Sequence, residues 1–462
     1  MKVSAFLLAL FVSLPSSSFA WMWKNDDQGA VDSDDEFGLS PVAINQEGIP
    51  VVELSNKQEM PLVGLGVEYL PPYMVPLMSA SALQEDKRTR LFDTAHITDN
   101  EPLLAQGIKQ GMERFKFSDG DENKKVELHV ITKVWYTHLG YERTSLSVKE
   151  SFQTLQDAID DPHVDLKAHV LLQWPRCYES ISWMNCEEDE QTVAPHIQSA
   201  GPPPHLDRNN AWKGSWKALE DMYLAQNMPI ASIGVANFHL SDLQEMDTFA
   251  RIHPHMLQMS VWSLLYDPFL VDYCTRKDIH VQVYDAIEQV LVDPNHVPNA
   301  HHHLLKVAND LSEGRPEEVT VAQVILSWLI QHGVSVIPGT ARLSELQENS
   351  AIALAAIPTL NQVQIETVAH ALEAFLSGDD LEEDIHAHVA FTAMTKDAML
   401  YWQKPDGGES KIAFIAKGQS FNETTYPNHK FRVYDARNKD NWVDYTVQAR
   451  FGETESYDAY LE

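Results

Sequence analysis

The chain has 462 residues, room for about three domains at ~150 residues each, and 44% of them are hydrophobic, a globular composition. With 67 Asp and Glu against 34 Lys and Arg, the net charge of -33 speaks against non-specific nucleic-acid binding and against docking on anionic lipid. Three cysteines exclude a scaffold built on disulfides, and 20 glycines and 24 prolines exclude a low-complexity chain.

Residues 1–20 carry Lys2, an apolar run from Ala5 to Leu14, and Ser18-Phe19-Ala20 before a small-residue cut. This pattern predicts a cleaved signal peptide and entry into the secretory pathway or release from the cell. No later stretch is apolar for ~18 residues, so no membrane span is expected once the signal is removed. Residues 21–48 are rich in Asp and Glu and read as an acidic linker.

From Pro50 short apolar runs alternate with helical spacing. The runs end at Gly66, Asp93, Lys133, Gln173, Asn237, Gln258, Tyr284 and Gly339. Eight short strands separated by helices imply a parallel sheet closed into a (β/α)₈ barrel over residues 49–376. Asp93, Lys133, Gln173, Asn237 and Gln258 each end an apolar run with a polar group. In a barrel the C-terminal strand ends share one mouth, where ligands bind, so the five predict a common pocket.

The joint at 377–386 is again acidic, and residues 387–462 alternate in strand fashion, which predicts a small all-β sandwich. Part of the negative charge is thus concentrated at 26–36, 187–190 and 379–384, read as solubilising segments. Asn422-Glu423-Thr424 is a glycosylation sequon at Asn422. Cys177 and Cys186 form either a loop disulfide or two free thiols. His301-His302-His303 cannot all face one ion from a helix, so no metal site is expected.

Several motifs fall in one order: Met60-Pro61-Leu62-Val63-Gly64-Leu65-Gly66, Asp93-Thr94-Ala95, Thr132-Lys133-Val134-Trp135, Gln173-Trp174-Pro175, Gly234-Val235-Ala236-Asn237-Phe238 and Ile337-Pro338-Gly339-Thr340 with Glu348-Asn349. Together they resemble the aldo-keto reductases, which reduce carbonyls with NADPH or NADH and without metal. The resemblance places Asp93 and Lys133 in a catalytic tetrad, with Thr98 where the family has its proton-donating tyrosine and Gln173 where it has histidine. A threonine hydroxyl is a far weaker acid than a phenol, and losing a positioned acid costs ~10²–10⁴ in rate. Tyr136, His96 and Tyr69 are conceivable substitute acids near the mouth, and Glu68 stands where many members carry tryptophan. Asn237 and Gln258 match the nicotinamide carboxamide contacts, Tyr284 the ring that stacks on nicotinamide, and Glu348 and Asn349 the adenine contacts. Gly339, Thr340 and Arg342 fall where the family grips the 2′-phosphate, with glycine in place of the common lysine, which leaves NADP and NAD both open. The resemblance thus implies an NAD(P)H-dependent oxidoreductase of small carbonyl or alcohol substrates with an altered tetrad. The other reading is a catalytically inactive secreted binding protein.

Tyr401-Trp402, Asp406-Gly407, Lys417-Gly418 and Thr425-Tyr426-Pro427-Asn428-His429-Lys430-Phe431 resemble the β domain of the von Hippel–Lindau family. That resemblance implies a peptide partner held by Trp402, Thr425, His429 and Phe431.

Overall fold

The computed structural model describes residues 42–115, 125–382, 386–404, 408–426, 429–449 and 454–461. The signal-peptide expectation and most of the proposed linker lie outside the described residues, as do Asp406, Gly407, Pro427 and Asn428.

Eight parallel strands form one sheet in chain order: β1 (Leu65–Gly66), β2 (Leu91–Asp93), β3 (Val126–Val134), β4 (Val164–Leu172), β5 (Ile230–Ala236), β6 (Met256–Ser260), β7 (His280–Tyr284) and β8 (Ser335–Val336). The sheet closes on itself just before β1. Val63 bridges Val336 in parallel, Gly64 N donates to Val336 O at 2.9 Å, and Val336 N donates to Leu62 O at 2.8 Å. Helices cover the outside, as a parallel sheet apolar on both faces requires. Their sequences carry the start and stop signals. Thr320 and Gln323 make a capping box for Val321–Gln331, whose Trp328 is wholly buried. Asn361 and Gln364 do the same for Gln362–Ser377, the last barrel helix, which Gly378 ends in the left-handed region at φ 78°.

Two findings revise the boundaries read from sequence. The folded part begins before residue 49: Ala43–Ile44 pairs with Pro50–Glu53, which pairs with Glu59–Pro61, and Asn45 Oδ1 holds the first turn by accepting from Glu47 N and Ile49 N. The acidic segments also do more than solubilise. Glu190 grips the buried Arg143 through both guanidinium nitrogens, at 3.0 and 2.9 Å. Asp380 accepts from Asn299 N and Ala300 N at the start of helix Pro298–Ser312, the favoured end for a carboxylate. Cys177 and Cys186 are joined in a disulfide with their Cα atoms 5.8 Å apart.

The C-terminal region is a sandwich of two sheets. One holds β10 (Ala398–Gln403), β11 (Glu409–Ile415), β13 (Lys430–Asp435) and β14 (Asn438–Thr446); the other holds β9 (Ala387–Ala393), β12 (Ser420–Thr425) and β15 (Thr454–Ala459). β12 and β15 were not legible as strands. Both are polar edge strands, and their side chains bring too few apolar groups inward to show a period of two.

Candidate active site

The mouth of the barrel is assembled by register. Asp93 pairs with Ile131, so Lys133 lies one pleat repeat nearer the mouth on the same face of β3. Lys133 Nζ donates to Asp93 Oδ2 at 2.6 Å, to Thr94 O at 3.1 Å and to Glu68 Oε2 at 2.7 Å. Its side chain is 1% exposed and that of Glu68 9%. The Gln173 amide donates to Glu68 Oε1 at 2.8 Å. Gln258 Nε2 reaches Asp93 Oδ1 and Gln282 Oε1, both at 2.8 Å. Asn237, in the left-handed region at φ 58°, donates to Gln173 O at 3.0 Å and accepts from the Tyr284 hydroxyl at 2.6 Å. Asp93, Lys133, Gln173, Asn237, Gln258 and Tyr284 therefore meet in one network.

Two carboxylates share one ammonium. Burial pushes Asp93 up to about 6, and the charge of Glu68 adds to that push against the pull of Lys133. Burial would also raise Glu68, but the charge of Lys133 and hydrogen bonds from Lys133, Gln173 and Tyr69 hold it below the ordinary carboxylate range. Lys133 loses solvation, yet Asp93 and Glu68 keep it above the usual lysine value. Two buried carboxylates thus face a single buried ammonium.

The substitute acids are engaged elsewhere. Thr98 donates its hydroxyl to Ala95 O at 2.8 Å, next along its own turn. Tyr136 is buried and bonds Asp189, and burial followed by that bond raises its phenol. His96 Nε2 lies 3.1 Å from Glu150. Tyr69 is the exception: 85% exposed as a residue, it still hydrogen-bonds Glu68 through its phenol. Around the mouth, Trp183 stacks on Trp135 at 6.0 Å and meets Trp174 edge-on at 5.8 Å, giving it an aromatic rim.

At the proposed dinucleotide-phosphate end, a Cβ on Gly339 would come within 2.9 Å of Gly66 O, so a lysine does not fit there without backbone movement. The Thr340 hydroxyl donates to Glu345 at 2.5 Å, and the exposed Arg342 guanidinium pairs with Glu345 at 2.8 Å. Glu348 does not stand free for adenine: it accepts from the Thr320 hydroxyl that caps Val321–Gln331. Asn349 is buried, and its Oδ1 has no partner among the described residues.

Sequence reasoning left Glu68 without a role. The polar strand-end signal that marked the others was present, but Glu68 lies two residues beyond Gly66, past the end of β1. Gln282 was hidden inside an apolar run.

The four positions read as a peptide pocket face inward. Trp402 and Phe431 lie in the sandwich core, and Thr425 is buried with its hydroxyl 2.8 Å from His429 Nδ1. His429 Nε2 faces Glu366 of the last barrel helix at 3.4 Å. These contacts with the sandwich core and the last barrel helix leave the expected peptide site without support. Asn422 of the sequon is exposed on edge strand β12. His303 turns inward to Glu382 O at 3.0 Å, whereas His302 is exposed; no metal-holding cluster of His, Cys, Asp and Glu occurs among the described residues.

The model of the Aldo/keto reductase family matches residues 82–373. Glyoxal reductase of Bacillus subtilis (strain 168) is 29% identical over 302 residues, covering 65% of this chain and 86% of that protein. Aldose reductase B of Dictyostelium discoideum is 27% identical over 290 residues, covering 63% and 83%. Among solved structures, an aldo-keto reductase of the silkworm, Bombyx mori, superposes with a TM-score of 0.52 at 23% identity, covering 71% of this chain and 88% of that one. A second Bombyx mori aldo-keto reductase, solved in complex with NADP, gives a TM-score of 0.51 at 19% identity, covering 70% and 92%. The structural likenesses share the barrel fold, and the family match spans more than half of the sequence: the chain belongs to the aldo/keto reductase family.

Proposed function

We propose that this protein is an NAD(P)-dependent oxidoreductase that interconverts a carbonyl and an alcohol at the barrel mouth. The observation that carries the reading is the buried Lys133 ammonium, held by Asp93 at 2.6 Å and set beside the linked Gln173, Asn237 and Tyr284. The residues fit a nicotinamide dinucleotide. Gln173 Oε1 and Asn349 Oδ1 are both buried without partners among the described residues, at the positions assigned to the reacting end and to adenine. Asn237 and Gln258 would hold the carboxamide, Tyr284 would stack on the ring, and Arg342 is the cation nearest a 2′-phosphate role. When bound, the cofactor supplies or accepts a hydride. Lys133 and Gln173 orient the substrate oxygen, Asp93 keeps Lys133 charged and fixed, and the Trp135, Trp174 and Trp183 rim suits an apolar or aromatic substrate body. Passage through the secretory pathway is part of the proposal. It is supported by the leader pattern and by the Cys177–Cys186 disulfide, a bond that persists in oxidising compartments.

One observation favours a second reading, a barrel that binds without catalysis. Glu68 occupies both groups that would touch a substrate oxygen, and the Thr98 hydroxyl is turned onto its own backbone. Fluorescence titration with NADPH, NADP⁺ and NADH, followed by turnover on aldehydes and alcohols, separates the two. Micromolar binding with turnover supports the oxidoreductase, and binding without turnover supports the second reading. No dinucleotide binding below millimolar removes the cofactor from both. The enclosed Trp402, Thr425, His429 and Phe431 give no support to a peptide partner, and none is proposed.

A further inference from the structure

We propose that Glu68 is the proton-transfer residue of this site, and that the site is built to oxidise an alcohol with NAD(P)⁺ rather than to reduce a carbonyl. The proposal rests on the oxidoreductase reading above and assigns it a base and a direction.

The Glu68 carboxylate spans Lys133 Nζ at 2.7 Å and Gln173 Nε2 at 2.8 Å, so it stands between the ammonium and the amide that orient the substrate oxygen. Thr98, Tyr136 and His96 are each committed to another partner, and the Tyr69 phenol bonds Glu68 itself. An ionised carboxylate accepts hydrogen bonds and donates none. The resting centre therefore offers a carboxylate base to an incoming hydroxyl, while its two acids, the Lys133 ammonium and the Tyr69 phenol, are both already bonded to Glu68. The step balances without another reactant. The substrate O–H bond breaks and its proton passes to Glu68, the carbinol C–H bond breaks and its hydride passes to NAD(P)⁺, and the C=O bond forms. Glu68 then releases the proton to water.

Charge gives the same direction. Two carboxylates, Glu68 and Asp93, face the single Lys133 ammonium, all three buried. The oxidised nicotinamide ring is cationic and the reduced ring is neutral, so a net negative centre favours the oxidised cofactor.

The full chain, its E68Q variant and its E68D variant are titrated with NADP⁺ and NADPH. Each is then assayed with benzyl alcohol, 1-propanol and glycerol, and with the matching aldehydes, from about pH 3 to 9. The wild type is expected to bind NADP⁺ at least as tightly as NADPH and to oxidise an alcohol, with an acid limb below the ordinary carboxylate range. In E68Q the acid limb disappears and kcat falls ~10²–10⁴-fold with KM little changed. The affinity ratio in favour of NADP⁺ falls roughly tenfold in E68Q. E68D keeps the limb and part of the rate. An E68Q variant as fast as or faster than wild type, or an unchanged NADP⁺ to NADPH ratio, overturns the proposal and makes Glu68 a plug. A wild type that binds dinucleotide and reduces aldehydes but oxidises none of the alcohols also overturns it, while leaving the oxidoreductase reading intact. Absence of dinucleotide binding brings down that reading itself.

Discussion

Lys133 carries a charge that two carboxylates need, and none of the three can reach bulk water easily. Replacing it with methionine would leave Asp93 and Glu68, now 2.6 and 2.7 Å from its ammonium, buried with no cation. The Lys133→Met variant is expected to lose about 3–5 kcal/mol in denaturant unfolding, the usual cost of stranding one side of a buried pair. Asp93 and Lys133 were readable in the sequence because each ends an apolar run, and the family's order of motifs named them. The partner in between was not. Glu68 follows a two-residue strand and belongs to no periodic pattern, so only the folded chain shows that its carboxylate reaches Lys133 and Gln173. Glu190 tells the same story. A run of four acidic residues looks like a solvated face, yet one of them neutralises Arg143, which the fold has buried.

Among the elements, the barrel seam is the most sensitive to size. A Cβ on Gly66 would meet Ile337 O at 2.8 Å, and one on Gly339 would meet Gly66 O at 2.9 Å. Backbone faces backbone there, with no side chain to swing aside. Gly66→Ala is therefore expected to cost about 1–3 kcal/mol, read as a lowered thermal midpoint, with the eight-strand closure loosened at Val63 and Val336. The loop after β4 holds itself with Cys177–Cys186, nine residues apart. Chain-entropy arithmetic for so short a loop gives about 2–3 kcal/mol. Paired Cys177→Ser and Cys186→Ser changes should lower stability by that order, and limited proteolysis should cut first between residues 177 and 186. Helices and buried strands were legible because their apolar periods are strong. β12 and β15 were missed because an edge strand is selected for polarity on its free side, which erases the alternation a reader looks for.

At the scale of the whole molecule, barrel and sandwich are joined through the helix Gln362–Ser377. Tyr426 bonds Thr367 at 2.9 Å, and Thr367 also meets His386 at 3.1 Å. Glu366 faces Gln362 of its own helix, which donates at 2.6 Å, and His429 and Tyr426 of the sandwich; His370 lies against Tyr426. Burial pushes Glu366 up to about 8, and burial followed by the charge of His370 pushes His429 down to about 4. The signs oppose each other. A carboxyl whose folded value is raised loses stability as pH climbs from 4.5 towards 8, and a histidine whose folded value is lowered loses it as pH drops from 6.5 towards 4. Their sum is level between about 4.5 and 6.5 and falls on the alkaline side by about 1.4 kcal/mol per pH unit. Scanning calorimetry should show wild-type stability dropping from pH 6.5 to 8. Glu366→Gln, which copies the neutral form, should flatten that drop; an equal drop in the variant would show that Glu366 is not its source. None of this joint could be read beforehand, since Glu366 and His429 are 63 residues apart by the numbering and meet only across two folded units. The sequence by itself determined the barrel, the sandwich, the family and most of the mouth, because those rest on local periodicity and on which residue ends each strand. Only the tertiary structure decided that Glu68 reaches Lys133 and Gln173, that the acidic runs are partly structural, and that Trp402 and Phe431 lie in the sandwich core. Each of these depends on which distant side chain a buried polar group finds, and burial obliges it to find one.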